Sequence, residues 1–271
     1  IYRYLDIGTA KPTAEDQARV THHMIDVIDP DENFDAARYA YMARTCVRKL
    51  AQNDILPIIA GGTGLYIKAL LYGLSSEAIA DKVVRNRLKI EATTKGSRIL
   101  HKRLALCDPA AAKRIHPNDT FRIIRALEVY EITGRPMSSI QMSHQFGDHL
   151  FDALKISLSM DRETLYAQID RRVEDMIATG LADEVKGLLD QGYGSEIKAM
   201  QSIGYRHITS FLKGKLSREE AIRTIKRDTR RYAKRQMTWF KKDPDIIWIA
   251  PHDQNRICKI ITAFLDDDRI G

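Results

Sequence analysis

The spacing of apolar residues predicts alternating strands and helices in the first part of the chain. Residues 22–28 and 55–60 have the length of strands, and the second is an unbroken apolar run, which is typical of a strand buried on both faces. Between them, apolar residues recur at helical spacing over 35–52. A glycine turn at 61–64 follows, and residues 65–71 are expected to be helical. This order of elements predicts an α/β fold with a largely parallel sheet.

The strand pattern disappears in the middle of the chain and returns later. Charged helical stretches dominate residues 77–147, which predicts a helical insertion domain between two parts of an α/β core, residues 1–76 and 148–271. Beyond it, an alternating segment at 154–160 and an apolar segment at 246–249 predict two more strands.

Capping residues mark helix starts in the second half of the chain. Asp161 is expected to cap a helix that stops at Gly180. Ser217 and Glu220 have the spacing of a capping box, which predicts the start of a long helix reaching about residue 242. A closing helix is predicted over 253–266.

Composition excludes several classes of protein. With 44% hydrophobic and 29% charged residues among 271, the chain can bury a core, which excludes wholesale disorder and fibrous repeats. The chain has no apolar run near the ~20 residues of a membrane span, and its three cysteines are far apart, so a soluble cytoplasmic protein is expected. The net charge of +7 favours a polyanionic partner. Because Ile1 opens an ordered-looking stretch, we also expect the natural N-terminus to be missing.

The turn Gly61-Gly62-Thr63-Gly64 is the first candidate for chemistry. It leaves a predicted buried strand and opens a helix, so its backbone N–H groups could bind an anion or the edge of a base. It is not a Walker A loop, because no Gly-Lys-Ser/Thr follows. The alternative is a tight connection between strand and helix without a ligand.

Arg172 is the second candidate. In the predicted helix 162–179 an apolar stripe runs through Ile169 and Met176, and Arg172 falls at its edge or inside it. An arginine that faces inward needs an anionic partner, because an unpaired buried charge is costly. Two interpretations stay open: an ion pair with a core carboxylate, or a guanidinium fork that binds phosphate.

The helix predicted near the end of the chain carries the strongest charge signal. Over residues 223–242 every charged residue except Asp228 is basic. The apolar residues of this segment, including Tyr232 and Trp239, are expected to pack on the core and leave a cationic face outside. A solvated face usually interleaves acids, so this pattern predicts contact with nucleic acid.

Two further sets of residues are more ambiguous. Arg122 and Arg125 lie one helical turn apart, on either a solvated or a binding face. The histidines have no metal-ligand spacing. Asp26, Asp29 and Asp35 could approach a magnesium ion, but turn and capping roles are equally open.

Several long motifs resemble those of one known family. They are Ile1-Tyr2-Arg3, Asp6-Ile7-Gly8-Thr9-Ala10-Lys11-Pro12, His22-His23, Gly61-Gly62-Thr63-Gly64-Leu65-Tyr66, His116-Pro117-Asn118-Asp119 with Arg122 and Arg125, Ser202-Ile203-Gly204-Tyr205-Arg206, and Ala233-Lys234-Arg235-Gln236-Met237-Thr238-Trp239. In this order they resemble the bacterial tRNA dimethylallyltransferases of the IPP transferase family, over essentially the whole chain.

The resemblance implies a fold, a reaction and partners. The fold is a P-loop NTPase-like α/β core with a parallel sheet and a helical insertion domain that contacts tRNA. The reaction transfers a dimethylallyl group from dimethylallyl diphosphate to N6 of the adenosine at position 37 of tRNAs, next to the anticodon, with Mg²⁺. The expected partners are the anticodon stem-loop of tRNA and dimethylallyl diphosphate, and the expected form is a cytoplasmic monomer.

The resemblance also implies roles for individual residues. Arg172 is expected to bind the diphosphate, and Thr63 to belong to the catalytic site. The residues expected to contact tRNA are Thr63, Arg85, Phe121, Arg122, Arg125, Gln201, Gly204, Tyr205, Arg206, Lys234, Arg235, Gln236, Thr238 and Lys241. The family's phosphate-binding loop and its proposed general base, an aspartate, fall upstream of Ile1, so the chain as given is expected to be inactive.

Other functions stay open at this point. An isopentenyltransferase acting on free AMP, ADP or ATP would need neither the insertion nor the cationic helix. A non-catalytic tRNA-binding module would fit a chain without the phosphate-binding loop. A small-molecule kinase of the P-loop superfamily would turn over ATP without RNA.

Overall fold

The computed structural model describes residues 1–74, 81–144 and 150–267, which contain thirteen α-helices and two short strands. The helices are α1 (Ala14–Arg19), α2 (Ala36–Ala51), α3 (Gly64–Tyr72), α4 (Lys82–Lys95), α5 (Ser97–Cys107), α6 (Pro109–Arg114), α7 (Thr120–Thr133), α8 (Met137–His144), α9 (Arg162–Ala178), α10 (Leu181–Asp190), α11 (Tyr205–Leu212), α12 (Arg218–Phe240) and α13 (Gln254–Asp267). The strands are β1 (Ile156–Leu158) and β2 (Ile247–Ile249). No helix in these ranges is long and apolar enough to cross a membrane.

The chain divides into two compact units. The first consists of residues 1–67 and 152–271, and the second of residues 68–151. The boundaries predicted from sequence, at 76/77 and 147/148, lie outside the described residues.

The core of the first unit is formed mainly by α9 to α12. Its buried residues include Val173 of α9, Val185 of α10, Tyr205 of α11 and Ile225 of α12. The sequence signals for two of these helices are confirmed. Asp161 caps α9 by accepting a 2.8 Å hydrogen bond from the Thr164 N–H. The predicted capping box begins α12, where each partner's side chain accepts a 3.1 Å hydrogen bond from the other's backbone N–H.

The sheet of the first unit is small. The strands β1 and β2 pair in parallel, with Ile156 opposite Ile247 and Leu158 opposite Ile249. They confirm the strands predicted at 154–160 and 246–249, with shorter bounds.

Two other predicted strands are wrong in this structure. Residues 22–28 form only an isolated bridge, between Ile28 and Tyr2. Residues 55–60 have no regular structure, and their apolar side chains are largely exposed, with Ile58 83% accessible. A strand needs hydrogen-bonding partners on its edges, and in the described ranges no strand pairs with 55–60.

The second unit is helical throughout its described part. Helices α4, α5 and α7 pack on one another around Leu88, Leu104 and Leu127, which are completely buried. Asp108 caps α6 from inside this core, accepting a 2.9 Å bond from the Ala111 N–H and a 2.8 Å bond from the Ser138 N–H. A buried carboxylate used in this way ties α6 to α8.

Candidate functional site

The glycine turn before α3 lies against the last turns of α12. The Gln236 side-chain amide donates a 2.9 Å hydrogen bond to the carbonyl oxygen of Gly62. A Cβ added to Gly62 would stand 2.0 Å from Gln236 Nε2, and one added to Gly64 would stand 2.1 Å from Trp239 Nε1. Gly64 therefore requires glycine because the rigid Trp239 ring approaches it so closely, whereas at Gly62 the contact is the flexible end of Gln236, which can shift. The fold thus brings exposed Thr63 beside the predicted binding segment 234–241.

The basic residues of α12 fall into two groups. In its first two thirds four are ion-paired within the chain: Lys226 with Glu174 at 2.5 Å, Arg230 with Asp170, and Arg227 and Arg231 with Asp228 at 3.0 and 3.7 Å, while the exposed Arg218 and Arg223 form no ion pair in the described ranges. Those at its end and just beyond it, Lys234, Arg235, Lys241 and Lys242, are exposed and form no ion pair in the described ranges. We call these four residues the unpaired cationic end. Thr238 lies on the same segment, and its hydroxyl donates to the Lys234 carbonyl at 2.9 Å.

Two aromatic side chains are exposed beside the unpaired cationic end. Trp239 is 44% accessible, and Tyr232 is also exposed, with the Arg235 guanidinium 5.8 Å from its ring centre. The sequence-based expectation that both pack on the core is wrong, although Ile225 of the same stripe is buried. Exposed aromatic rings among cations are the surfaces on which unstacked bases stack. The sequence does not predict the exposure of these two rings because helical periodicity does not reveal where along the helix the core ends.

Arg172 lies on α9 between the buried residues Ile169 and Val173, but its own side chain is exposed. The expectation that it faces inward is wrong, since only Ile169 and Val173 of α9 are buried. No hydrogen bond or ion pair holds Arg172 in the described ranges, so the structural ion pair considered above is also absent there. Its guanidinium therefore keeps its donors for a ligand.

The motif Gln201–Arg206 separates into a surface part and a core part. Gln201 is exposed and Arg206 is half-buried, so both are accessible. Gly204 is buried with φ +93°, and Tyr205 is completely buried. The Tyr205 hydroxyl donates a 2.6 Å hydrogen bond to Glu184. Burial, and to a lesser degree this hydrogen bond, raise the pKa of Tyr205. Direct RNA contact by these last two residues is incompatible with their burial, so their position in the core is a correction to the sequence-based expectation.

Asp228 organises the basic groups around that motif. Its carboxylate accepts hydrogen bonds from Arg206 at 2.7 Å and Arg227 at 3.0 Å, and lies 3.2 Å from Nε2 of His207. Burial alone would raise the pKa of Asp228, but these hydrogen bonds outweigh it and hold the pKa well below its usual range. Burial lowers the pKa of His207 despite the nearby carboxylate. Asp228 was missed as a site residue because Arg206 and His207, which it contacts, belong to another helix.

In the second unit, Glu128 joins two predicted RNA-contacting arginines. Its side chain is fully buried and accepts 2.8 Å bonds from Arg85 and from Arg125, as well as a 3.0 Å bond from the Asp81 N–H. Burial alone would raise the pKa of Glu128, but the arginines reverse the shift and lower it. An ionised, buried carboxylate of this kind fixes the position of both guanidinium groups.

The two other predicted residues of this unit are at its surface. Phe121 is 79% accessible, and Arg122 is exposed with a 2.9 Å ion pair to Asp119, the N-cap of α7. The helical unit by itself therefore presents one exposed ring and three arginines, two of them fixed by Glu128.

The aspartates considered for magnesium have other partners. Asp26 accepts a 2.5 Å bond from Lys11, Asp29 a 2.9 Å bond from Arg3, and Asp35 caps α2. The described ranges contain no group of three or more His, Cys, Asp and Glu residues that could hold a metal ion. These residues therefore do not fit a metal site built by the protein alone.

The sequence of this chain is similar to those of transferases that act on tRNA. The sequence profile of the IPP transferase family matches residues 1–243. A tRNA dimethylallyltransferase of Desulfosudis oleivorans is 60% identical over 92% of this chain and 79% of its own length, and one of Desulfatibacillum aliphaticivorans is 52% identical over 98% and 87%. The chain belongs to the IPP transferase family.

Solved structures of related proteins have the same fold. A tRNA delta(2)-isopentenylpyrophosphate transferase from Staphylococcus epidermidis is 38% identical, with a TM-score of 0.68 over 98% of this chain and 87% of its own. A eukaryotic dimethylallyltransferase acting on tRNA is 26% identical, with a TM-score of 0.78 over 96% and 69%. These likenesses confirm the predicted α/β fold with a P-loop-like core. The expectations of a missing phosphate-binding segment and of inactivity gain no support, because the alignments cover nearly the whole chain.

Proposed function

We propose that this protein transfers a dimethylallyl group from dimethylallyl diphosphate to N6 of the adenosine at position 37 of tRNA, next to the anticodon. Membership of the IPP transferase family and the tRNA dimethylallyltransferases among its relatives support the reaction class. The observation that carries the proposal is the glycine turn held by Gln236 beside the unpaired cationic end of α12. The glycine turn and the surface proposed to bind RNA are then both positioned by α12.

The chemistry needs charge stabilisation at the leaving group. The N6 amine forms a bond to C1 of the allyl group while the C1–O bond breaks, and the electron pair of that bond goes to the diphosphate. The amine loses a proton to a general base, which none of the predicted site residues supplies. Negative charge grows on the diphosphate, so a guanidinium that contacts it stabilises the transition state more than the ground state. Exposed and unpaired, Arg172 is suited to this role.

Access to N6 requires the adenine to leave the stack. Extruding a base costs a few kcal/mol, which stacking on aromatic side chains and contacts to the backbone can offset. Trp239 borders the glycine turn, so its exposed ring and the Thr63 region are suited to receive the base. The unpaired cationic end would bind the phosphates on either side, and the arginines around Glu128 would contact RNA through the helical unit.

Magnesium enters the proposal with the substrate. Mg²⁺ is commonly bound by one or two carboxylates together with substrate phosphates, and it would neutralise charge on the diphosphate. Because Asp26, Asp29 and Asp35 already have partners, we assign the chain's contribution to the leaving group to the guanidinium of Arg172. We also propose that the protein acts as a monomer in the cytoplasm, where its tRNA substrate is found.

The unpaired cationic end distinguishes this proposal from a transferase that acts on free nucleotides. A transferase acting on free AMP, ADP or ATP has no use for four exposed cations without acidic partners. A non-catalytic RNA-binding module would use the same cations, so formation of the modified nucleoside separates it from the enzyme.

The experiment incubates the protein with unmodified tRNA, dimethylallyl diphosphate and Mg²⁺, and analyses the nucleosides by mass spectrometry. The expected product is N6-dimethylallyladenosine at position 37. Modified free nucleotide with unmodified tRNA would indicate the free-nucleotide enzyme. Binding of tRNA without any product would indicate the non-catalytic module.

A further inference from the structure

A polar cavity of about 460 Å³ lies in the first unit. Its lining residues fall between 195 and 228, and none belongs to the glycine turn. Its walls come from the loop after α10, from α11 and the turn that follows it, and from the first half of α12. Only Gln201 and Arg206 of its lining belong to the predicted site residues.

Positive charge dominates the walls of this cavity. Arg206, Arg227, Lys213 and Lys215 line it, and Asp228 is the carboxylate among its lining residues. Lys213 donates a 2.8 Å bond to the neutral hydroxyl of Ser195, so its charge is not compensated there. The side chain of Lys215 has no hydrogen bond or ion pair in the described ranges. The lining therefore contains four cationic side chains and one carboxylate.

A buried hydroxyl in the wall lacks a partner. Thr209 is 4% accessible, and its Oγ1 makes no hydrogen bond in the part of the chain that the structure describes. An unsatisfied buried polar group costs about 1–3 kcal/mol, so such groups call for an explanation. By contrast, the hydroxyls of Ser210 and Thr224 in the same wall donate to backbone carbonyls at 2.9 and 2.8 Å.

We propose that this cavity binds a phosphate group through Lys213, Lys215 and the guanidinium groups held by Asp228. A phosphate offers several strong acceptor oxygens and negative charge, which match the lysine and arginine donors and the unused Thr209 hydroxyl. The group could be a backbone phosphate of RNA, which rests on the proposed function, or a free phosphate-bearing ligand, which does not.

The test compares two variants with a matched control. Lys213→Ala/Lys215→Ala removes the uncompensated charges, and Thr209→Val removes the hydroxyl at nearly constant shape. The control Lys186→Ala/Lys259→Ala removes two exposed lysines that do not line the cavity. Each protein is titrated with inorganic phosphate against chloride at equal ionic strength by calorimetry. Its affinity for unmodified tRNA is measured over a salt series.

Two outcomes support the site and identify its ligand. A roughly tenfold loss of phosphate affinity in the double variant, with unchanged tRNA affinity, indicates a free phosphate ligand. A loss of tRNA affinity with a salt slope reduced by about one unit indicates a backbone phosphate. In both cases Thr209→Val should lower the affinity for the same ligand by about two- to fivefold, and the control should bind like the wild type.

The remaining outcomes overturn the site. In the first, the lysine double variant and its control bind phosphate and tRNA with equal affinity. In the second, the wild type binds neither phosphate nor tRNA measurably. Dimethylallyl transfer by the wild type is assayed in parallel. If the wild type transfers the group but the cavity variants bind like the control, only this site is refuted. If the cavity variants lose binding but the wild type shows no transfer, only the proposed function is refuted.

Discussion

The side-chain amide of Gln236 donates a 2.9 Å hydrogen bond to the carbonyl oxygen of Gly62, across 174 residues of sequence. This bond joins the two features that suggested function, the glycine turn and the cationic helix. With Trp239 packed against Gly64, it means that the position of the turn is set by α12. Substitutions on either side of this contact should therefore alter the same activity.

We expect the glycines of the turn to differ sharply in their tolerance of alanine. Gly64→Ala should lower the transfer rate at least tenfold and the free energy of unfolding by about 1–3 kcal/mol, because the rigid Trp239 ring would have to move. Gly62→Ala should cost less, since only the flexible end of Gln236 must shift. Gly61→Ala is the control, because nothing lies within 4 Å of its added Cβ. Single-turnover transfer and thermal unfolding measure both effects, and similar behaviour of Gly64→Ala and Gly61→Ala would contradict this account.

Arg172→Ala should damage catalysis and spare stability. A charge-assisted contact is worth about 1.5–3 kcal/mol, so kcat/KM for dimethylallyl diphosphate should fall about 10- to 100-fold. The melting temperature should stay unchanged, because Arg172 is exposed and unpaired in the described ranges. Arg171→Ala, its exposed neighbour, is the matched control. A lower melting temperature with normal single-turnover kinetics would assign Arg172 a structural role.

Replacing Lys234 and Arg235 by alanine should weaken tRNA binding and reduce its salt dependence. Each lost phosphate contact lowers the slope of log affinity against log salt by about one unit. The double variant Lys186→Ala/Lys259→Ala removes the same charge elsewhere and should leave the slope unchanged. The measurement is anisotropy of labelled tRNA over a salt series. An unchanged slope in the first variant would show that the unpaired cationic end faces only solvent.

Glu128→Gln should weaken both the helical unit and its contact with RNA. Arg85 and Arg125 would lose their shared carboxylate, which should lower the free energy of unfolding by about 1–3 kcal/mol and reduce tRNA affinity. Glu131→Gln is the control on the same helix, because Glu131 pairs with Arg87 and Arg103, which have no predicted RNA role. It should affect stability without affecting tRNA affinity. Equal loss of tRNA affinity in both variants would refute the positioning role.

The lowered pKa of Glu128 also predicts a pH dependence. A carboxylate whose pKa is lower in the folded state stabilises the fold above its unfolded value of about 4.3, and this stability is lost as pH falls through the folded value. The wild type should therefore lose stability below about pH 4, and Glu128→Gln should lose less over the same range. Chemical denaturation at a series of pH values measures the difference. Parallel pH profiles for the two proteins would contradict the assignment.

Local signals in the sequence predicted the helices well. Asp161 and Ser217 cap the helices that they were expected to begin, because a cap depends only on residues within one turn. The glycine turn likewise precedes a helix, as its composition indicates. Such features can be read from a few neighbouring residues.

Long-range relationships could not be read in this way. Residues 55–60 have the composition of a buried strand, but pairing depends on partners distant in sequence. The apolar stripe of α9 predicts that Arg172 faces inward. Periodicity gives the direction of a side chain around the helix axis, but it does not show how much of the helix surface is buried by other elements. Asp228 and Glu128 gave no sequence signal, because their arginine partners include residues on other helices.

The length of α12 between Asp228 and Gln236 has a consequence for how this chain can vary. Asp228 ties the helix to α11, and Gln236, just over two turns later, holds the glycine turn. One inserted or deleted residue between them would rotate one end relative to the other by about 100° and shift it by about 1.5 Å. Gln236 and Trp239 would then point away from the turn. This stretch of the helix should therefore tolerate exchanges of residue type far better than any change in the number of residues.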